Sequence, residues 1–214
     1  MFRKYSLFII IILFSYLSYS CKQDVNDRTR IRTTDVEIPT SPPQQVAPPA
    51  AQAVPQDQHF REACLDGQLA LVDKYISEGG DIKSADENGR TGLMLASFNG
   101  HTEIVEKLIN KGAEINKIDM MGRTSLMYAS TGHFPETVEL LLSNGAETNL
   151  VDDAEQFTAL MFAGAEGNTE VIRLLLDHGA DPALTDKDGD TAESFARQNG
   201  HSEAADILNK ASKK

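Results

Sequence analysis

The apolar positions of this chain recur with a long period from about Gln58 onward. Between Asp86 and Asn116, a stripe of leucine and alanine is followed by a Gly-His pair and then by a second apolar stripe at spacings of one, three and four residues. Such spacings predict two short amphipathic helices. Turn-forming residues precede the first stripe, and Gly112 follows the second, where a left-handed glycine commonly ends a helix. The pattern predicts a unit of turn, helix, helix and turn.

The same unit returns along the rest of the chain. A threonine suited to capping the first helix recurs at spacings of 33, 34 and 33 residues, as Thr91, Thr124, Thr158 and Thr191. A period of this size is typical of stacked repeats, in which each unit buries its apolar face against its neighbours. We therefore predict an all-α solenoid of about five helix-turn-helix repeats with short hairpin-like turns. Their approximate bounds are 58–84, 85–117, 118–150, 151–184 and 185–214.

The unit resembles the ankyrin repeat. The Thr-Pro-Leu-His motif of that family corresponds here to Thr91-Gly-Leu-Met94, Thr124-Ser-Leu-Met127 and Thr158-Ala-Leu-Met161. Because proline and histidine are replaced in all three, we expect the turn and the buried leucine to be kept and one hydrogen-bonding side chain to be lost. The resemblance covers about three quarters of the chain. It implies that the domain binds proteins through its turn tips and the exposed side of each first helix.

The first and last repeats are predicted to cap the solenoid. The first repeat lacks the leading turn and begins near His59. The last has Glu193 in place of the leucine and Ala204-Ala205 in place of a larger aliphatic pair. Terminal repeats with a more polar outer face are what a soluble stacked-repeat domain requires.

The N-terminus predicts export. Arg3-Lys4 precede an apolar run of eleven residues, Leu7–Leu17, which is shorter than the roughly 20 residues that a membrane-spanning helix needs. A charged start followed by a short apolar core is typical of a secretory signal peptide, predicted here as residues 1–20. Residues 17–21 resemble a bacterial lipobox, in which Cys21 would be acylated, although Ser18 stands where an aliphatic residue is usual. Cleavage by ordinary signal peptidase after Ser20 is the alternative.

A proline-rich stretch, residues 21–56, separates the predicted signal from the repeats. It holds six of the eight prolines, so we expect an extended, disordered tether between a lipid anchor and the repeat domain. We accordingly expect a lipid-anchored protein of the bacterial cell envelope, periplasmic or surface-exposed, with a soluble secreted form as the alternative. The second cysteine, Cys64, is expected to be a small buried residue rather than a reactive thiol.

Charge excludes one class of partner. The net charge is −12, and the predicted tether carries four acidic and four basic residues, so the excess of acid lies on the repeats. A nucleic-acid partner is not expected, because binding to phosphates needs positive charge. An acidic surface favours solubility and suits a basic partner.

The sequence predicts no catalytic, metal or cofactor site. His101 and His201 follow a mid-repeat glycine, the structural Gly-His position of the family that the unit resembles. No histidine pair has zinc-ligand spacing, and the acidic residues between Asp152 and Glu155 lack the spacing of a calcium loop. We therefore expect a protein that is not an enzyme.

The candidate protein-binding residues lie on the third and fourth repeats and on the exposed part of two first helices. Methionines are adaptable contacts, and arginine is enriched at binding hot spots. In one alternative, Met120 packs onto the neighbouring turn. The turn of the fourth repeat is one residue longer and has Gln156 in place of glycine, as either a tolerated insertion or a reshaped contact. The predicted contacts are Phe98, Met120, Met121, Arg123, Thr131, Asp153, Phe157 and Glu166.

Two functional hypotheses remain. In the first, the chain is a monomeric, non-catalytic interaction module, tethered in the envelope, that binds another exported protein. In the second, it is an inhibitor or immunity-type protein that blocks an enzyme or toxin. A catalytic role is a distant third.

Overall fold

The computed structural model describes residues 56–213, which form ten α-helices. The predicted signal peptide, Cys21 and all of the predicted tether except its last residue lie outside the described residues. The helices are α1 (Gln56–Leu65), α2 (Leu69–Ser77), α3 (Gly92–Phe98), α4 (Thr102–Asn110), α5 (Ser125–Ser130), α6 (Pro135–Ser143), α7 (Ala159–Glu166), α8 (Thr169–Asp177), α9 (Ala192–Gln198) and α10 (Ser202–Ala211).

The helices form five antiparallel pairs that stack in chain order. The first helices of the pairs (α1, α3, α5, α7 and α9) pack on one another in one layer, and the second helices pack in another. Each helix packs mainly on its partner and on the equivalent helix of the adjacent pairs. The predicted all-α solenoid of five helix-turn-helix repeats is therefore confirmed.

The repeating threonines cap the first helices as expected. The Oγ1 atoms of Thr91, Thr124 and Thr158 accept hydrogen bonds from backbone N–H groups three residues later, at 3.2 to 3.3 Å. The expected loss of a hydrogen-bonding side chain is wrong for two repeats. The sulfur atoms of Met94 and Met161 accept from the N–H groups of Thr91 and Thr158 at 3.4 and 3.5 Å, because the long flexible thioether reaches back to the cap.

Close approach of the first helices explains the small residues in the repeat. Ala96, Ala129 and Ala163 have no solvent exposure. The first helices also approach closely at Gly164, where an added Cβ atom would lie 2.6 Å from the carbonyl oxygen of Ala192 on the next first helix. Interiors this tightly packed do not accept an added methyl group without a shift of the backbone.

Aromatic packing closes the first repeat. The rings of Phe60 and Tyr75 stack with their centroids 4.2 Å apart, and the Tyr75 hydroxyl donates to Oδ1 of Asp57 at 2.7 Å. Cys64 lies beside this cluster with no exposed surface, and burial raises the pKa of its thiol to about 12. A protonated, buried thiol fits the expected packing role and not a nucleophile.

Candidate protein-binding surface

Four hairpin turns precede the first helices of repeats two to five, and we call them tips 2 to 5. Each begins with an aspartate whose Oδ1 atom accepts two backbone N–H groups of its own turn, at 2.8 to 3.0 Å. Hydrogen bonds to a carboxylate are about twice as strong as neutral ones, so these bonds hold the backbone of each tip in a defined conformation. The tips are Asp86–Arg90, Asp119–Arg123, Asp152–Phe157 and Asp186–Asp190.

Backbone hydrogen bonds also join each tip to the next. The N–H of Met120 donates to the carbonyl of Asn88 at 2.9 Å, and the N–H of Asp153 donates to that of Met121 at 2.8 Å. The N–H of Lys187 donates to the carbonyl of Glu155 at 3.1 Å. The four tips therefore form one ladder, and their outward side chains have fixed relative positions.

Large apolar side chains lie exposed on tip 3 and directly before tips 3 and 4. Met120 is 73% exposed, Ile118 is 51% exposed and Val151 is 41% exposed. The exposure of Met120 disagrees with the alternative in which its side chain packs onto the neighbouring turn. Met121 is partly buried. Ile118 and Val151 directly precede the aspartates of tips 3 and 4, so they hold equivalent positions in adjacent repeats.

Arg123 is held inside the domain. Its side chain is only 12% exposed, and its Nε atom lies 3.4 Å from Oδ2 of Asp152, a carboxylate that is 1% exposed. Its guanidinium also lies 5.6 Å from the centre of the Phe162 ring, a distance that permits a cation–π contact. The contact of Arg123 with a partner stays a prediction, and this ion pair would have to open for the guanidinium to reach outward.

The candidates on the first helices are half-buried. Phe98 packs its ring edge-on against Tyr128, with centroids 6.1 Å apart. Thr131 donates its hydroxyl to the carbonyl of Tyr128 at 2.8 Å. Part of each side chain remains accessible beside the tips, and their contact with a partner stays a prediction.

Tip 4 places its three unusual residues differently. Asp153 is exposed, whereas Phe157 is half-buried between Phe162 and Phe195, with centroids 5.5 and 4.9 Å away. Gln156 takes a left-handed backbone with φ of +63°, the region that Gly89 and Gly122 occupy in the earlier tips. A side chain there carries backbone strain that glycine would avoid.

Glu166 ends the first helix of the fourth repeat. Burial raises the pKa of its carboxyl, and the neighbouring His201 and His133 partly offset the rise. The adjacent Asn168 is buried and donates to the carbonyl of Gly132 at 2.8 Å, but its Oδ1 atom has no hydrogen-bond partner among the described residues. Glu166 lies away from the four tips in sequence, and its role in binding stays a prediction.

The described part of the chain gives little support for a metal site or a membrane-spanning helix. Between residues 56 and 213, no group of three or more histidine, cysteine, aspartate or glutamate side chains could hold a metal ion. Within the same range, no helix is both long and apolar enough to span a membrane. The ring of His101 bonds the carbonyl of Leu65 at 2.9 Å, as expected for a structural histidine.

The tips, paired helices and 33-residue period agree with a comparison to known families. A family model described as ankyrin repeats (three copies) matches residues 60–152 and 132–214. The chain belongs to the ankyrin repeat family. Ankyrin repeats are general protein–protein interaction modules and are typically non-catalytic. A search among curated proteins finds no match.

Three features of these ankyrin tips were not among the predictions from the sequence. The aspartates that pin the tips recur at spacings of 33, 33 and 34 residues, so the period itself could have revealed them. The exposure of Ile118 and Val151 could have been suspected from the same alignment, because Ala85 and Thr185 hold their place elsewhere. The pairing of Arg123 with the next repeat has no such signal.

Proposed function

We propose that this chain is a non-catalytic binding module, tethered by a lipid on Cys21 in the bacterial cell envelope, that holds another exported protein against its tips. The observation that supports the binding surface is the exposure of Met120 on tip 3, and of Ile118 and Val151 directly before tips 3 and 4, in a row of tips joined by hydrogen bonds. A rigid surface loses little conformational freedom on binding, which favours affinity. The signal-like residues 1–20 and the lipobox-like residues before Cys21 support the tether.

A cross-linking experiment in cells tests the binding module. A photoreactive amino acid at position 120 should capture a specific protein from the envelope. The same amino acid at Leu71, which is 50% exposed on α2, is the matched control. Adducts of the same identity and yield at both positions would contradict the proposed surface.

Fatty-acid labelling tests the tether. The parent chain should incorporate a labelled fatty acid and partition into detergent, and Cys21→Ala should do neither. Labelling that persists in the variant, or that is missing in the parent, would contradict the lipid anchor and leave the secreted form.

The inhibitor hypothesis remains as a second candidate because the acidic repeats suit a basic enzyme or toxin. The captured partner distinguishes the two. An inhibited enzyme should lose activity when the purified chain is added, whereas a partner that is only held should keep it.

A further inference from the structure

We propose that the partner segment is basic with an apolar centre, and that it docks on the apolar ledge formed by Ile118, Met120 and Val151. This inference rests on the proposed binding function and specifies the chemistry of the partner. Three of the four exposed large apolar side chains in residues 56–213 lie on tip 3 or directly before tips 3 and 4, on two adjacent repeats. Apolar residues gathered in one place mark an interaction site more strongly than scattered ones do.

The ledge is held together across two repeats. The Arg123–Asp152 ion pair and the hydrogen bond from the N–H of Asp153 to the carbonyl of Met121 fix tip 3 to tip 4. Ile118 and Val151, at equivalent positions of the two repeats, are therefore presented in register. A partner would meet one pre-formed surface and not two independent loops.

Exposed carboxylates border the ledge. Asp153 and Glu155 are exposed on tip 4, and neither carboxylate accepts a hydrogen bond from another described residue. Lys187, the lysine of tip 5, donates from its ammonium group to the backbone carbonyls of Asp153 and Ala154 and not to the carboxylates. Lys117, next to Ile118, is likewise directed to a backbone carbonyl, that of Lys83, at 3.4 Å. The carboxylates beside the ledge are left for a partner.

The wider charge of the domain has the same sign. From Asp119 to Lys213 the chain has 17 acidic and six basic side chains, whereas residues 56–118 have eleven acidic and seven basic. Four of these six basic side chains are engaged within the domain. Arg123, Arg173 and Arg197 pair with Asp152, Glu203 and Glu193, and Lys187 binds backbone carbonyls. A field of this sign attracts lysine and arginine over distances of about 10 Å.

Charge decides between possible occupants. A second copy of the chain would bring the same carboxylates to the ledge, and an anionic membrane surface would be repelled for the same reason. A protein segment with lysine or arginine on either side of an apolar side chain satisfies both parts of the surface.

Two synthetic peptides test this chemistry with the full chain. One alternates lysine and leucine, and the other alternates lysine and serine. The lysine–leucine peptide should bind more tightly by about tenfold, because only its leucines reach the ledge. The combined change Met120→Ser with Val151→Ser should abolish this preference. Leu71→Ser, at an exposed leucine outside the ledge, should leave it unchanged.

The carboxylates have a matched control as well. Asp153→Asn with Glu155→Gln should weaken both peptides by about threefold or more at low salt. Asp177→Asn with Asp206→Asn removes two exposed carboxylates from the second helices α8 and α10 and should change binding less. Equal losses in the two variants, or equal affinity for the two peptides, would overturn the proposal by showing only diffuse charge attraction.

The proposed function can survive that failure. A protein captured by the photoreactive amino acid at position 120, together with no preference for the lysine–leucine peptide, would keep the binding module and reject the basic partner. Capture of a second copy of the chain at that position would also reject it.

Discussion

Tips 2 and 3 have the same backbone and use their arginines in different ways. In both tips an aspartate accepts two N–H groups of its own turn, and an arginine ends the turn. Arg90 pairs with Asp86 of its own tip at 2.7 Å. Arg123 instead reaches Asp152 of the next tip at 3.4 Å. The arginine of tip 2 therefore pairs within its own tip, whereas the arginine of tip 3 pairs with the next tip.

A single residue on the following helix accounts for the difference. Tyr128 donates its hydroxyl to Oδ2 of Asp119 at 2.7 Å and so occupies the oxygen that Arg123 would otherwise use. Burial and the nearby Asp119 carboxylate raise the pKa of Tyr128, so its hydroxyl stays protonated and donates. The equivalent residue of the second repeat is Leu95, which has no hydroxyl. The residue at this position of a first helix therefore decides whether the arginine of the tip pairs within its own repeat or with the next one.

Removing the two arginines should separate the tips most clearly. Arg123→Ala leaves the buried Asp152 carboxylate without its cation and should lower the free energy of unfolding by about 2 to 4 kcal/mol. Arg90→Ala removes a more exposed pair and should cost about 0.5 to 1 kcal/mol. Urea unfolding of both variants measures the difference. Equal losses would show that the pairing across tips adds nothing.

Tyr128→Phe should give the next largest effect. It keeps the ring that packs on Phe98 and removes only the hydrogen bond to Asp119, so we expect a loss of about 1 to 2 kcal/mol. The double variant with Arg123→Ala should lose more than the two single losses combined, because the freed Asp119 can accept Arg123, and so offset part of the loss, only when that arginine is present. Additive losses would contradict the competition between Tyr128 and Arg123 for Asp119.

Tip 4 extends the comparison to a strained backbone. Gln156→Gly relieves the left-handed conformation and should raise the free energy of unfolding by up to about 1 kcal/mol. Gly189 takes the same conformation in tip 5, and an added Cβ atom would meet nothing within 4 Å. Gly189→Ala should therefore cost a similar amount through backbone strain alone. A stability loss in Gln156→Gly would mean that the glutamine side chain contributes a contact worth more than the strain.

Transplanting the outward residues of tip 2 onto tip 3 should have the smallest effect on stability. Met120→Glu with Met121→Asn copies Glu87-Asn88 and should change the free energy of unfolding by under about 0.5 kcal/mol. Affinity for the captured partner should fall by at least about thirtyfold if the tip is a hot spot. A large loss of stability would show that the methionines belong to the core. Unchanged affinity would move the site elsewhere.

The fold could be predicted from the sequence because each repeat is defined by local signals. A capping threonine, small alanines and a closing glycine lie within one 33-residue unit, and repetition strengthens each of them. The candidate binding surface could be predicted only in part. The exposure of Met120 agrees with its polar equivalents in other tips, but the environment of Arg123 depends on which of two carboxylates Tyr128 leaves free. That choice is made by three side chains on two repeats, and no single repeat contains the information.

The extra residue of tip 4 has a consequence for how such a domain can diversify. Oδ1 of Asp152 still accepts two N–H groups, now those of Glu155 and Phe157, and both neighbouring tips remain bonded to this one. The extra residue is accommodated within the six residues of tip 4, and the helices that follow pack as they do in the other repeats. Tips of this kind can accept insertions one at a time, so new recognition loops could be grafted at tip 4 while the stack beneath them continues to fold as before.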